Sequence, residues 1–136
     1  MKFTDYKVIT ASVSLTPDIA PNRNYKIAPK IGCNIKRGGD KIICTFNVEL
    51  ARKDEPIPFE FKVTAVGSFM ILPEDDPSTL ALKAAEAVYP FVRSTVASLT
   101  LLTNIPAYIL PMVDMASLVG NSKTVTLTMP SSNELN

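Results

Sequence analysis

The chain contains no histidine and no tryptophan, and only two cysteines. The missing histidine removes the commonest general base and the commonest metal ligand together. With Cys33 and Cys44 as the only thiols, a structural zinc site lacks its remaining ligands. Charge of either sign is scarce in excess: 14 Lys and Arg face 13 Asp and Glu, a net +1. That balance gives no electrostatic reason to expect nucleic acid or an anionic membrane as a partner. The N-terminus "MKFTDYKVIT" alternates instead of forming an apolar run, so no secretory signal is expected and the expected location is cytoplasmic. No metal, cofactor or catalytic residue is expected.

The longest uncharged stretch lies between Arg93 and Asp114. Its length meets the rule for a spanning helix. Its content does not, because Ser94, Thr95, Ser98, Thr100, Thr103 and Asn104 are polar, and Pro106 and Pro111 break the helical bonding that lipid demands.

The residues present read first as strands. In 7–15, Ile9, Ala11, Val13 and Leu15 share one parity. Residues 16–25 are rich in Pro, Asn and Asp and read as a loop. Alternation returns in 26–36 through Ile27, Ile31, Cys33 and Ile35, and in 41–50 through Ile42, Cys44, Phe46, Val48 and Leu50. Between these runs, "RGGD" predicts a two-residue hairpin turn at Gly38-Gly39. That register sets Ile35 opposite Ile42, Cys33 opposite Cys44 and Ile31 opposite Phe46. "KDEP", 53–56, is the next turn, and 58–72 is a fourth strand in which Gly67 marks a bulge or bend.

The period then changes to helical. Asp76 is the expected N-cap and Pro77 the first helical residue. Pro90 predicts a kink or restart. The pattern resumes through Phe91, Thr95, Leu99 and Leu102, and Asn104 and Pro106 end it. A short second helix is expected over 112–119. Residues 1–120 read as one α+β domain and 121–136 as a polar tail.

The candidate chemistry is thin. The two cysteines fall on the apolar parity and are expected to be neighbouring, reduced core residues. The acids at 74–76 suit a helix start better than a metal. Arg93 is expected to lie along apolar surface or to pair with a carboxylate. "GCNIKRGGDK" lacks the strand-to-helix arrangement of a phosphate loop. The prominent feature is an apolar surplus: Ile105, Tyr108, Ile109, Leu110, Met112, Val113, Met115 and Leu118 exceed what a small core needs. Such a surplus points to oligomerisation or to binding another chain.

"AVYPFVRSTVASLTLLTNIPAYILPMVDMASLV" resembles the C-terminal half of the SecB family of protein-export chaperones. Tyr89, Pro90, Phe91 and Arg93 match its aromatic-Pro-aromatic-x-Arg core. Ile105, Pro106, Leu110, Pro111, Asp114 and Leu118 match the segment after its long apolar helix. "SVSLTPDIAPN", "VELA" and "FKVTAVGSFMI" have counterparts in the first half. The resemblance implies a four-stranded antiparallel sheet, a meander with an extended crossover, followed by a kinked long helix and a short C-terminal helix. It implies a homotetramer, a dimer of dimers with helices between two sheets, and places Phe91, Thr95, Leu99 and Leu102 at the assembly interface. It implies an unfolded-polypeptide holdase serving protein folding and transport, with an apolar client groove. Ile19, Ile27, Ile105, Tyr108, Ile109, Leu110, Met112 and Met115 are expected to line it. A dedicated partner chaperone, for example for one antitoxin, or an oligomeric adaptor, is the alternative. The family meets the SecA motor through acidic sheet positions, which here are Ser12, Thr16 and Lys62. The resemblance therefore does not carry motor docking with it.

Overall fold

A computed structural model describes residues 1–16, 27–51, 57–121 and 125–127. Four long strands, β1 (Lys2–Leu15), β2 (Lys30–Gly38), β3 (Lys41–Leu50) and β4 (Phe59–Met70), precede a helix α1 (Leu80–Leu101). A short helix α2 (Met115–Asn121) and a three-residue strand β5 (Val125–Leu127) come after it. The sheet order is β1-β4-β3-β2-β5. Strands β2, β3 and β4 form an antiparallel meander, and β1 reaches the far side of β4 by a crossover. The expected α+β architecture is thus present. β5 pairs in parallel with Lys36–Gly38 and lies within the segment read as a polar tail. The predicted "KDEP" turn and Ile19 lie outside the described residues.

The β2–β3 register differs from the predicted one by two residues. Cys33 faces Phe46, Ile35 faces Cys44, Ile31 faces Val48 and Gly38 faces Lys41. The turn is Gly39-Asp40, and of these two only Gly39 has positive φ, +59°. A type II′ turn needs glycine only at its first central position, so Gly38 remains in the strand. The shift is even, so each side chain keeps its predicted face. Cys33 and Cys44 become diagonal neighbours, both buried and without a disulfide, joined by a weak thiol–thiol hydrogen bond with their sulfurs 3.7 Å apart. The contact with Cys33 and burial push the Cys44 thiol up, which keeps it protonated.

β1 begins earlier than the predicted 7–15 and carries two register shifts, between Phe3 and Asp5 and between Val8 and Thr10. Each inserts an extra residue and resets the alternation. Val8, not Ile9, therefore faces the same side as Ala65, and Ile9 is 61% exposed. Gly67 forms no bulge: it pairs regularly with Tyr6 and Cys44. Its role is close approach, because a Cβ there would collide with the Val88 side chain of α1. Met1 anchors the start of β1 by a 2.8 Å bond from its ammonium to Asp75. That bond, with the Leu72 N–H, holds the Asp75 carboxyl below its usual range.

α1 starts at Leu80, three residues after the predicted Pro77. Asp76 accepts the Ser78 N–H and hydroxyl at 3.0 and 2.9 Å, closing a turn ahead of the helix and not capping it. The helix then runs unbroken through Pro90, so no restart occurs. Pro90 and Glu86 are both exposed, so water can satisfy the Glu86 carbonyl that Pro90 leaves without a donor. Leu80, Ala84, Ala85, Val88, Tyr89, Val92, Val96 and Thr100 form the buried stripe. They pack on Ile42, Cys44, Phe46, Val48, Phe61, Val63 and Ala65 of the sheet. Asn104, at φ +63°, ends the helix as predicted.

Candidate functional site

The 105–114 linker between the helices is held to α1 by two side chains on one flank of that helix. Buried Thr100 donates its hydroxyl within its own helix, to the Val96 or Ala97 carbonyl, and accepts the Tyr108 N–H at 2.9 Å. Eleven residues earlier, the Tyr89 hydroxyl donates to the Pro111 carbonyl at 2.6 Å. The linker therefore runs back along α1. Leu110, fully buried, pins its middle, and Tyr108 lies against the rings of Phe59 and Phe61 at centroid distances of 5.8 and 5.9 Å. Burial raises the pKa of both Tyr89 and Tyr108, and the Arg93 charge partly offsets the rise at Tyr89. Tyr89 thus remains a neutral donor to Pro111 through the physiological range.

The same fixed linker leaves large apolar groups in water. Met112 is 89% exposed and Ile109 56%. Ile105 and Tyr108 are half-buried, and Ile27, ahead of β2, packs against the core. α2, which follows the linker, contacts both α1 and β2. α2 begins at Met115, later than the predicted 112–119, with the Leu118 N–H bonded to the Asp114 carbonyl. Of the residues expected to line a groove, Ile109 and Met112 are open. Leu110 and Met115 belong to the core and support the surface from beneath.

Most of the remaining exposed apolar groups lie on β1 and on α1 with its C-cap, and Met70 lies on β4. Phe91 is 48% exposed and Leu102 79%. Thr95 is bonded to the Tyr6 hydroxyl at 2.8 Å, and Leu99 is half-buried. The sequence pattern missed Leu101 and Val8, at 54% and 42% exposure. Leu101 lay off the predicted stripe, and Val8 was hidden by the bulge. Between Pro90 and Leu102 the open face of α1 holds Phe91, Ser94, Ser98 and Leu101 and no charge. Arg93 is half-buried, and its Nε has no hydrogen-bond partner among the described residues. No group of three metal-ligating side chains occurs among the described residues, and no helix is long and apolar enough to cross a membrane.

Thr100→Val should remove the acceptor of the Tyr108 N–H while keeping the shape of the side chain. A loss of about 1–2 kcal/mol of stability is expected in denaturant titration. Amide exchange at 105–111 should accelerate more than exchange in β3, and equal acceleration in both would contradict the pinning role.

No protein-family model and no curated protein matches the chain. Among solved structures, the fold is similar to that of the Mycobacterium tuberculosis SecB-like chaperone Rv1957, determined with a ChAD peptide from the Rv1956 HigA1 antitoxin. The TM-score is 0.65 at 15% identity, over 82% of this chain and 90% of that one. A Streptococcus agalactiae protein of unknown function matches at a TM-score of 0.46 and 10% identity, over 81% of this chain and 95% of that one. The chain has a SecB-like fold.

Proposed function

We propose that the protein is a chaperone that holds unfolded polypeptide on the surface formed by the 105–114 linker. The carrying observation is that this linker is fixed at Tyr108 and Pro111 and yet presents Ile109 and Met112 to water. A rigid backbone with mobile apolar side chains suits clients of varied sequence, and methionine adapts its shape readily. The likeness in fold to a chaperone solved with a peptide supports the reading. Client affinity should follow apolar area at about 25 cal/mol per Å² and change little with salt.

The working assembly in this reading is a homotetramer, a dimer of dimers. Phe91 and Leu101 of α1, Leu102 at its C-cap, and Val8 and Leu15 of β1 are the apolar groups it would cover. Thr95 and Leu99, at the flank of that face, pack within the protomer as well. Docking on the SecA motor is not part of the proposal, since Ser12, Thr16 and Lys62 supply no acid.

The test combines light scattering with fluorescence anisotropy of several labelled unfolded proteins. A mass near four times the 14.8 kDa protomer and binding of unrelated clients are expected. A monomer at micromolar concentration would refute the assembly. Binding of one sequence only would favour the dedicated-partner reading, and binding of none would refute the chaperone.

A further inference from the structure

The sheet face opposite α1 holds a feature that the near-neutral composition conceals. Residues directly opposite one another in a sheet share a face, and the registers place Lys2 and Lys41 on either side of Met70. Lys36 faces Ile43, and Lys7 faces Val66. Four lysines therefore gather at the β2–β3 turn end of this face. Against them stand Asp5, 3.6 Å from Lys7, and Asp40 in the turn at the rim. Asp75 is taken by the Met1 ammonium. The net charge of +1 gives no hint of this cluster; the folding of three strands brings it together.

Within the lysines lies an apolar floor. A depression of about 420 Å³ is lined by Ile9, Ile43, Val66 and Met70 together with Lys7 and Lys41, and also by Thr4, Asp5 and Ser68, with Asp5 next to Lys7. The β1 bulge is what turns Ile9 to this side, and Ile9 and Met70 are 61% and 40% exposed. The lysines span the four strands β1 to β2, about 14 Å at the usual strand spacing. That width suits one α-helix, whose diameter with side chains is about 10–12 Å. Among the described residues of the lining the one ring, Phe69, is buried on the other face, and these residues offer no aromatic platform to nucleic-acid bases.

We propose that this face docks an acidic amphipathic helix of a partner protein. Its apolar stripe would settle over Ile9, Ile43, Val66 and Met70, and its flanking carboxylates would meet Lys2, Lys7, Lys36 and Lys41. The site is separate from the client surface on the 105–114 linker.

The experiment titrates the full chain against a fluorescein-labelled helical peptide with a leucine stripe flanked by glutamates. Controls are the same peptide with lysine for glutamate, and vesicles of anionic lipid. The acidic peptide should bind, and the basic one should bind at least about tenfold more weakly. Lys7→Glu with Lys41→Glu should weaken the acidic peptide by about tenfold or more, as should about 0.5 M salt. Ile109→Asp, in the client surface, should leave this binding unchanged. Lys7→Gln with Lys41→Gln serves if the charge reversal disturbs the circular dichroism. Equal affinity for both peptides, loss on Ile109→Asp but not on the lysine changes, or lysine-dependent binding to the vesicles with none to the peptide would each overturn the proposal.

Discussion

Gly67→Ala is expected to destabilise the protein by about 1–3 kcal/mol, the usual cost of an added methyl group in a packed core. Exposed glycines in strands usually gain from such a change, because alanine loses less backbone entropy on folding. Here the new Cβ meets the Val88 side chain, where α1 lies closest to the sheet. Val88 is fully buried, so it has nowhere to move. Val88→Ala alone should cost about 0.5–3 kcal/mol through the cavity it leaves. The double variant returns roughly the lost volume to the same place and should be more stable than the sum of the two losses predicts. Denaturant unfolding of the four proteins supplies the cycle. Additive losses would show that α1 does not rest on Gly67.

The same glycine shows where sequence reading succeeds and where it stops. Alternation over 41–50 named the buried face of β3 in full, because every second residue there is apolar and the strand lies between two others. Glycine in a strand signals either a bulge or a close approach, and nothing local separates the two. The choice depends on Val88, twenty-one residues away. The β2–β3 turn failed in another way: two adjacent glycines left two possible centres, and the apolar alternation fits both registers equally, since they differ by an even number. β1 was misread at Ile9 because a bulge has no reliable local signature and reverses the parity of the residues before it. The four outer lysines were invisible for a different reason: they come from four positions on three strands that only the folded sheet brings together.

The helical half was legible in its content and less so in its bounds. Pro90 was a fair signal for a break. It fails to break α1 because proline removes one hydrogen bond, whereas the eight buried positions of the stripe hold the helix on both sides of it. The surplus of apolar residues after Asn104 was also legible, but its division into support and open surface was not. Leu110 and Ile109 are adjacent, similar in size, and opposite in exposure. The hydrogen bonds and the Tyr108 packing that fix the linker, all with partners distant in sequence, set which of them faces inward.

That division yields the sharpest contrast between neighbouring substitutions. Leu110→Asp should place a carboxylate at a site with no exposure. Truncation of a buried leucine alone costs about 2–5 kcal/mol, and an unpaired buried charge adds several more. The marginal stability of a domain this size is of the same order, so the variant is expected to lose cooperative unfolding or to be recovered aggregated. Ile109→Asp, one residue earlier, introduces the same charge at 56% exposure and should change stability by less than about 1 kcal/mol. Its effect should fall on binding instead: client affinity and suppression of aggregation should drop, and Met112→Asp should act alike, with assembly unchanged by light scattering. If Ile109→Asp and Met112→Asp both hold clients as well as the parent protein does, the linker is not the client surface. If Leu110→Asp folds with near-normal stability, the linker is not pinned as the Thr100 and Tyr89 hydrogen bonds require.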